Sequence, residues 1–255
     1  VDNCMNYGDI VSGTAKCIGG VVAEAKGDAI QCVNNGNINV TGSKTAQVGG
    51  VVGLSIANIT FCGNFGTINT MDATPSDELL VGGIVGQTGY RIWQCYNHGD
   101  ITASSSNVKC AGLIGDYQGT LDYGNVRNGF NTGKISGGYA VAAKAKSYGE
   151  MAGSNVVWLE GSAGQGVPGT DETTMRSKEY FTDNTIADNV FDMMENATGV
   201  LWGSDVNNNG YPIPNILGGV NTYFYMQGEY GTEQNPYLIE NLADINEMRR
   251  CVVGG

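Results

Sequence analysis

Two short phrases recur through the first 140 residues, and their regular spacing constrains the fold more than any other feature of the sequence. The first phrase is Gly-Gly followed by two aliphatic residues, as at residues 82–85. The second phrase is Cys-x-Asn-x-Gly-x-Ile, as at residues 95–101, and its five copies follow one another at intervals of 28, 30, 33 and 34 residues. A repeat of this length indicates a solenoid, in which each repeat packs against its neighbours.

The second phrase predicts extended chain. Its repeated letters stand at every second position, and a period of two is typical of a β-strand. The repeated side chains then share one face, and we expect them to stack from coil to coil as internal ladders. Stacked Asn side chains can satisfy their buried amides by hydrogen bonding to one another. The predicted ladders consist of Cys4, Asn6, Ile10, Cys32, Asn34, Ile38, Cys62, Asn64, Ile68, Cys95, Asn97, Ile101, Asn131 and Ile135.

These features predict an all-β fold. We expect a right-handed parallel β-helix, or β-solenoid, of about five to six coils, with a small α+β region that caps its C-terminal end. Helical repeats are excluded because no period of 3.6 residues appears in the first 140 residues. The predicted segments are a solenoid over residues 1–165, a cap over residues 166–220, and an extended strand plus helix over residues 221–255 that starts a following unit.

Charge and hydropathy limit the partners. The formal net charge is −12 at pH 7, and an acidic surface repels phosphate backbones, so nucleic-acid binding is not expected. No apolar run approaches the length of a membrane span, so no membrane insertion is expected in this segment. The chain begins within a repeat and without a signal peptide, so we expect it to be a piece of a longer protein.

The seven cysteines contain no Cys-x-x-Cys pair, which argues against a zinc site. Four of them fall on the same position of the repeat. Parallel Cβ vectors at one ladder position suit stacking better than bridging, so we expect buried, reduced thiols.

Few residues suggest catalysis. His98 is the only histidine and stands at a variable, outward position of the repeat. Asp9 and Asp100 share the outward position after Gly, but they are three coils apart, or about 14 Å, which exceeds the roughly 5 to 9.5 Å between the carboxylates of glycosidases. We therefore predict no catalytic residue, no cofactor and no metal site.

One loop resembles half of a calcium site. Asp205, Asn207 and Asn209 precede Gly210 in the order of a calcium loop, but Ile216 stands where a bidentate Glu is needed. A turn built from Asn and Asp side chains is the preferred interpretation, and weak calcium binding is the alternative.

Four aromatic side chains are predicted to point outward from the strands of the second phrase. They would form a stripe that binds a glycan or a protein, and this stripe is the candidate binding face. Its members are Tyr7, Phe65, Tyr96 and Phe130.

The two phrases together resemble the GLUG-motif repeats of bacterial secreted and surface proteins, over residues 1–140. Residues 173–177 with 202 and 209–213 are similar to the segment that often closes such arrays, and residues 231–239 resemble one that opens them. The resemblance implies a parallel β-solenoid outside a bacterium, commonly adhesin-like, which also occurs in the non-catalytic part of some IgA-cleaving metallopeptidases. It implies no catalytic residues.

Three functions therefore remain open. The first is a non-enzymatic, extracellular or cell-surface module that is adhesin-like or acts as a spacer, with a host or bacterial surface protein or glycan as its ligand. The second is a structural subunit that self-associates into a surface filament or layer. The third is an accessory β-helix of a secreted carbohydrate-active enzyme or IgA-type peptidase.

Overall fold

A computed structural model describes residues 1–103, 105–122, 124–150, 154–169, 173–182, 202–204 and 211–214. This part of the chain is nearly all β and forms a parallel β-solenoid of about five turns. The predicted fold class is confirmed, while the right-handed winding stays a prediction. The chain divides into two units, Val1–Arg176 and Ser177–Gly255, and each is described by itself.

Each coil contributes short strands to five parallel sheets, named A to E here, that run along the solenoid. Sheet A contains Ala29–Ile30, Ile59–Thr60, Ile92–Trp93 and Val126–Arg127. Sheet B contains Met5–Asn6, Val33–Asn34, Gly63–Asn64, Tyr96–Asn97, Gly129–Asn131, Val156–Leu159 and Thr174–Arg176. Sheet C contains Ile10–Ser12, Ile38–Val40, Ile68–Asn69, Ile101–Thr102 and Ile135–Ser136.

The other two sheets carry the Gly-Gly phrase at the corner between them. Sheet D contains Cys17–Gly19, Gln47–Gly49, Leu79–Gly82 and Val108–Ala111. Sheet E contains Val22–Ala25, Val52–Ser55, Val85–Thr88, Ile114–Leu121 and Ala142–Tyr148.

The pairing register follows the repeated phrase. Asn34 pairs with Asn64 in sheet B, and Ile68 pairs with Ile38 and Ile101 in sheet C. Equivalent letters of successive repeats therefore lie directly above one another, and the differences in repeat length are taken up between the strands.

The Asn side chains of sheet B cross the coil to the corner between sheets D and E. A Cβ atom built on Gly50 would lie 2.5 Å from Cγ of Asn64, and one on Gly83 would lie 2.5 Å from Cγ of Asn97. No side chain fits there, so the second Gly of the first phrase makes room for the Asn of the second phrase. The two phrases occur together because they pack against each other.

Apolar side chains fill the remaining space in two clusters. One contains the buried cysteines of the second phrase with aliphatic residues such as Ile59, Ile84 and Leu113. The other contains Ile and Val side chains of sheets C and D, including Ile68 and Val81. The Ile and Cys ladders thus belong to different clusters.

The chain turns between sheets A and B at a residue with left-handed backbone in each coil. Non-glycine residues rarely adopt this conformation, so its repetition shows that the surrounding sheets impose the turn. The residues are Asn3, Gln31, Phe61, Gln94, Asn128 and Asn155.

The two ends of the solenoid differ. Strands of the first coil form the edges of sheets B, C, D and E. At the other end, residues 162–167 lie across the last coil, where the carbonyl of Ser162 accepts from Ile135 N at 2.7 Å and that of Gly166 accepts from Val141 N at 2.8 Å. Sheet B continues to Arg176, past the predicted boundary at residue 165.

The second unit combines a helix and a hairpin in its described residues. The helix spans Lys178–Thr182, and Trp202–Ser204 pairs antiparallel with Pro212–Pro214. The helix follows directly after Thr174–Arg176, the last strand of sheet B. The segment predicted over residues 221–255 lies outside the described residues. In the described chain, no helix has the length and hydropathy to cross a membrane.

Candidate binding surface and the internal ladder

The Asn column is a continuous hydrogen-bonded chain through the solenoid. Each Nδ2 donates one hydrogen to Oδ1 of the Asn in the following coil, at 2.8–2.9 Å, and the other to the carbonyl of the Gly two residues later, at 2.7–2.9 Å. The column ends where Asn131 Nδ2 donates to Ser162 Oγ at 3.3 Å. Its members are Asn6, Asn34, Asn64, Asn97 and Asn131.

The four later asparagines of this column are fully buried. A buried amide without partners would lower the free energy of unfolding by about 1–3 kcal/mol for each unsatisfied group. In each buried Asn of the column, both Nδ2 hydrogens and Oδ1 form hydrogen bonds. The column therefore carries no penalty for unsatisfied amides, and it fixes the register of the coils.

The ladder cysteines are free thiols packed in the first apolar cluster. Cys62 Sγ donates to the carbonyl of Thr60 at 3.4 Å. Burial raises the pKa of the Cys62 thiol well above its usual value, and the pKa of Cys32 is raised first by a hydrogen bond to Cys62 and then by burial. Thiols of this kind stay protonated and are poor nucleophiles.

The outward carboxylates after the Gly of the second phrase join neighbouring coils. Asp9 Oδ1 accepts from the backbone N–H of Asn37 at 2.8 Å, and Asp100 Oδ1 accepts from that of Lys134 at 2.7 Å. Asn37 Oδ1 accepts in the same way from Thr67 N at 3.0 Å. Asp9 and Asp100 are not brought together, and each stabilises the next coil.

The four side chains of the predicted aromatic stripe are not all exposed in the structure. Tyr7 is 72% exposed and Phe65 is half-buried, but Tyr96 and Phe130 are fully buried. The rings of Tyr96 and Phe130 stack with centroids 5.6 Å apart, and Phe65 meets Tyr96 edge-on at 5.8 Å. The space for the Tyr96 ring comes from Gly63, where a Cβ atom would overlap it. Tyr96 and Phe130 are therefore packing residues in this structure.

His98 belongs to the same aromatic cluster. Its ring stacks on Phe65 with centroids 4.9 Å apart, and its Nδ1 lies 2.6 Å from Thr132 Oγ1. It is half-buried rather than freely exposed. This packing gives His98 a structural role.

No group of three or more His, Cys, Asp or Glu side chains capable of holding a metal occurs among the described residues. The loop with Asp205, Asn207 and Asn209 lies outside them, so weak calcium binding there stays a hypothesis.

A buried carboxylate lies on sheet E. Asp116 is 3% exposed and its Oδ2 accepts from Gln87 Nε2 at 3.2 Å and from Gln118 Nε2. Nearby, Glu78 accepts from Lys144 Nζ at 2.7 Å, which raises the pKa of Lys144. Both side chains of that ion pair are about half exposed, so its contribution to stability is small.

Sequence reasoning missed a cluster on the outer face of sheet A. The guanidinium carbons of Arg91 and Arg127 lie 4.8 Å and 3.9 Å from the centroid of the Trp93 ring. Trp93 and Arg127 are register partners in adjacent coils, and Arg91 stands two residues before Trp93. Aligning the repeats on their outward positions would have placed the three together.

Comparison of the chain with protein-family models finds no match, and comparison with curated proteins and with solved structures finds no significant match. The resemblance to GLUG-motif repeats therefore stays a prediction that rests on the two phrases.

Proposed function

We propose that this chain is a non-enzymatic module of a bacterial cell surface, which acts as an adhesin-like binding unit or as a spacer. The proposal rests on one observation: the repeated side chains form hydrogen bonds and packing contacts within the solenoid. The Asn amides bond from coil to coil, the ladder thiols are buried, and the carboxylates of Asp9 and Asp100 bond to the next coil. What remains for recognition is the variable outer surface.

The carboxylates also favour a non-enzymatic role. Asp9 and Asp100 stand at equivalent positions three coils apart, which corresponds to about 14 Å. This separation exceeds the roughly 5 to 9.5 Å that glycoside hydrolysis requires. Their oxygens already accept backbone hydrogen bonds.

The architecture suits a spacer. Each added coil lengthens a solenoid by about 4.8 Å, and the continuous Asn column links every coil to the next. A longer array of such coils would therefore extend as a rod while keeping one cross-section.

Labelling of intact cells tests the location. An antibody raised against the full chain should label intact bacteria as strongly as permeabilised ones. Labelling confined to permeabilised cells would overturn a surface role. In parallel, the purified chain should release no reducing ends from a panel of plant and bacterial polysaccharides, and release would contradict the non-enzymatic role.

Self-assembly is the second candidate, because strands of the first coil have no partner on their outer side among the described residues. Head-to-tail growth also needs an open last coil, which is partly occupied because residues 162–166 bond to it at Ile135 and at residues 140–142. We therefore rank the spacer or binding role above a filament. A sedimentation coefficient that rises with protein concentration would reverse this ranking, and a constant monomeric value would support it.

A further inference from the structure

The outer face of sheet A carries two arginines that form no ion pair with any described residue. Arg91 and Arg127 are exposed, and both guanidinium groups lie against the half-buried ring of Trp93. The ion pairs of the described chain involve Lys26 and Lys144, so neither arginine takes part in one. In a chain of net charge −12, these two unneutralised cations form a local positive site.

Nearby carboxylates are engaged elsewhere. Asp28 stands two coils before Arg91 at the equivalent position, and its Oδ1 accepts from Asn58 N at 2.9 Å. Asp122 Oδ1 accepts from the backbone N–H groups of Gly124 and Asn125, each at 3.0 Å. Among the described residues neither arginine forms an ion pair with a carboxylate, so both guanidinium groups can donate to an external anion.

The aromatic ring holds the two cations in place. Guanidinium groups favour the faces of aromatic rings, and this contact reduces the number of conformations that each arginine samples. The indole Nε1 of Trp93 is buried and has no hydrogen-bond partner in the described residues. Because this donor is enclosed, a ligand contacts the two guanidinium groups and not the indole N–H.

We propose that Arg91, Trp93 and Arg127 bind an acidic sugar that carries a single carboxylate, of the uronic acid or sialic acid class. A guanidinium binds a carboxylate with two parallel hydrogen bonds, and a second guanidinium adds charge. The net charge of −12 repels a dense polyanion, which favours an isolated acidic group within a mostly neutral glycan. This inference gives the proposed surface module a ligand class and rests on that function for its biological meaning.

The position of the site also favours a compact ligand over an acidic peptide. Strand Ile92–Trp93 pairs on one side with Ile59–Thr60 and on the other with Val126–Arg127. Strand Ile92–Trp93 therefore offers a bound peptide no main-chain hydrogen bonds, although Val126–Arg127 is the terminal strand of sheet A. Recognition at Trp93 must use side chains alone.

Ligand-observed saturation-transfer NMR on the full chain tests the proposal. The probes are N-acetylneuraminic acid, D-glucuronate, D-glucose as the neutral control, a short DNA and an acidic peptide. Inorganic sulfate, which has no protons to observe, is added as a competitor against D-glucuronate. We expect both acidic sugars to bind and D-glucose not to bind. Arg91→Ala and Arg127→Ala should each weaken binding by roughly tenfold or more. Lys44→Ala, which removes an exposed cation from the loop before sheet D, should leave binding unchanged.

Two further variants separate positioning from charge. Trp93→Phe keeps a ring for the guanidinium groups and should retain most of the affinity, whereas Trp93→Ala should weaken it. Circular dichroism melting of each variant verifies the fold. The proposal is overturned if the acidic sugars fail to bind, if the variant that combines Arg91→Ala with Arg127→Ala binds them equally well, if DNA or the acidic peptide binds more tightly, or if equimolar sulfate displaces the sugars. These outcomes concern the purified protein, so they are distinct from failure of the surface location in the labelling experiment.

Discussion

The first coil and the central coils of the solenoid contain the same side chains in different environments. Asn6 and Asn64 each donate to the Asn of the next coil at 2.8 Å and to the Gly two residues later at 2.8 Å. Asn64 is fully buried, whereas Asn6 is half-buried because none of the described residues forms a coil beneath it. The difference shows that a rung of the ladder depends on its neighbouring coil as well as on its own sequence.

The largest expected difference between the two regions comes from glycine. In Gly66→Ala the new methyl group would overlap the carbonyl of Gly36 and lie 3.0 Å from Asn34 Nδ2, whereas in Gly8→Ala the nearest atom is Asn6 Oδ1 at 3.7 Å. We expect Gly66→Ala to lower the free energy of unfolding by about 3 kcal/mol or more, and Gly8→Ala to change it by less than about 0.5 kcal/mol.

Urea unfolding of both variants provides the measurement. Equal losses at the two positions would mean that the glycine is needed within its own coil, for a turn, and not for contact with the coil beneath.

An effect of comparable size is expected from removing one amide of the column. Asn64→Ala leaves Asn34 Nδ2, Asn97 Oδ1 and the carbonyl of Gly66 without their partner, so we expect a loss of about 3–5 kcal/mol. Asn6→Ala removes a donor from one buried oxygen and should cost about 1 kcal/mol. Denaturant unfolding monitored by circular dichroism measures both values, and a loss at Asn6 as large as at Asn64 would contradict the role of burial.

Alkaline pH should weaken the interior through its thiols. Burial raises the pKa of Cys110 from 9.0 to about 11. The unfolded chain releases this proton near pH 9 and the folded chain retains it, so the stability contributed by Cys110 is complete below about pH 9 and is lost as the pH rises through 11. Two pKa units correspond to about 3 kcal/mol.

Unfolding free energies at pH 8 and pH 10.5 measure this slope. Cys110→Ala should flatten it, and Cys17→Ala, which removes a half-buried thiol from the first coil, should change it less. An unchanged slope in Cys110→Ala would exclude this thiol as its source.

The smallest effect is expected on the outer surface. Asp100→Ala removes the acceptor for the exposed backbone N–H of Lys134 and should cost about 1 kcal/mol. Asp9→Ala should cost the same within about 0.5 kcal/mol, because Asp9 makes the equivalent bond and both carboxylates are exposed. Asp9→Asn and Asp100→Asn should each retain part of the stability that the alanine variants lose. A large difference between the two alanine variants would show that outer contacts also depend on the position of the coil.

The inner face of the solenoid was predictable in detail. In the structure, each Asn or Ile of the second phrase pairs with the residue at the same position of the next repeat. The reason is that a period of two assigns each repeated side chain to a face, and stacking of equal coils then leaves one register. The interlocking of Gly83 with Asn97 was not predictable, because it joins two phrases that are distant within one coil.

The outer face was less predictable. Phe130 and Tyr96 have the outward register expected for them, yet both are buried. Their exposure depends on which side chains surround them, and these differ from one repeat to the next. The cluster of Arg91, Trp93 and Arg127 combines two positions of the repeat from two coils, so no single phrase contains it.

The sequence by itself therefore determined the solenoid, its repeat and the residues that line its interior, because the same steric and hydrogen-bonding requirement returns in every coil. Only the tertiary structure decided the five-sheet cross-section, the partly covered last coil and the exposure of each outward side chain. These features depend on contacts between residues that do not repeat, and a repeating pattern carries no information about such contacts.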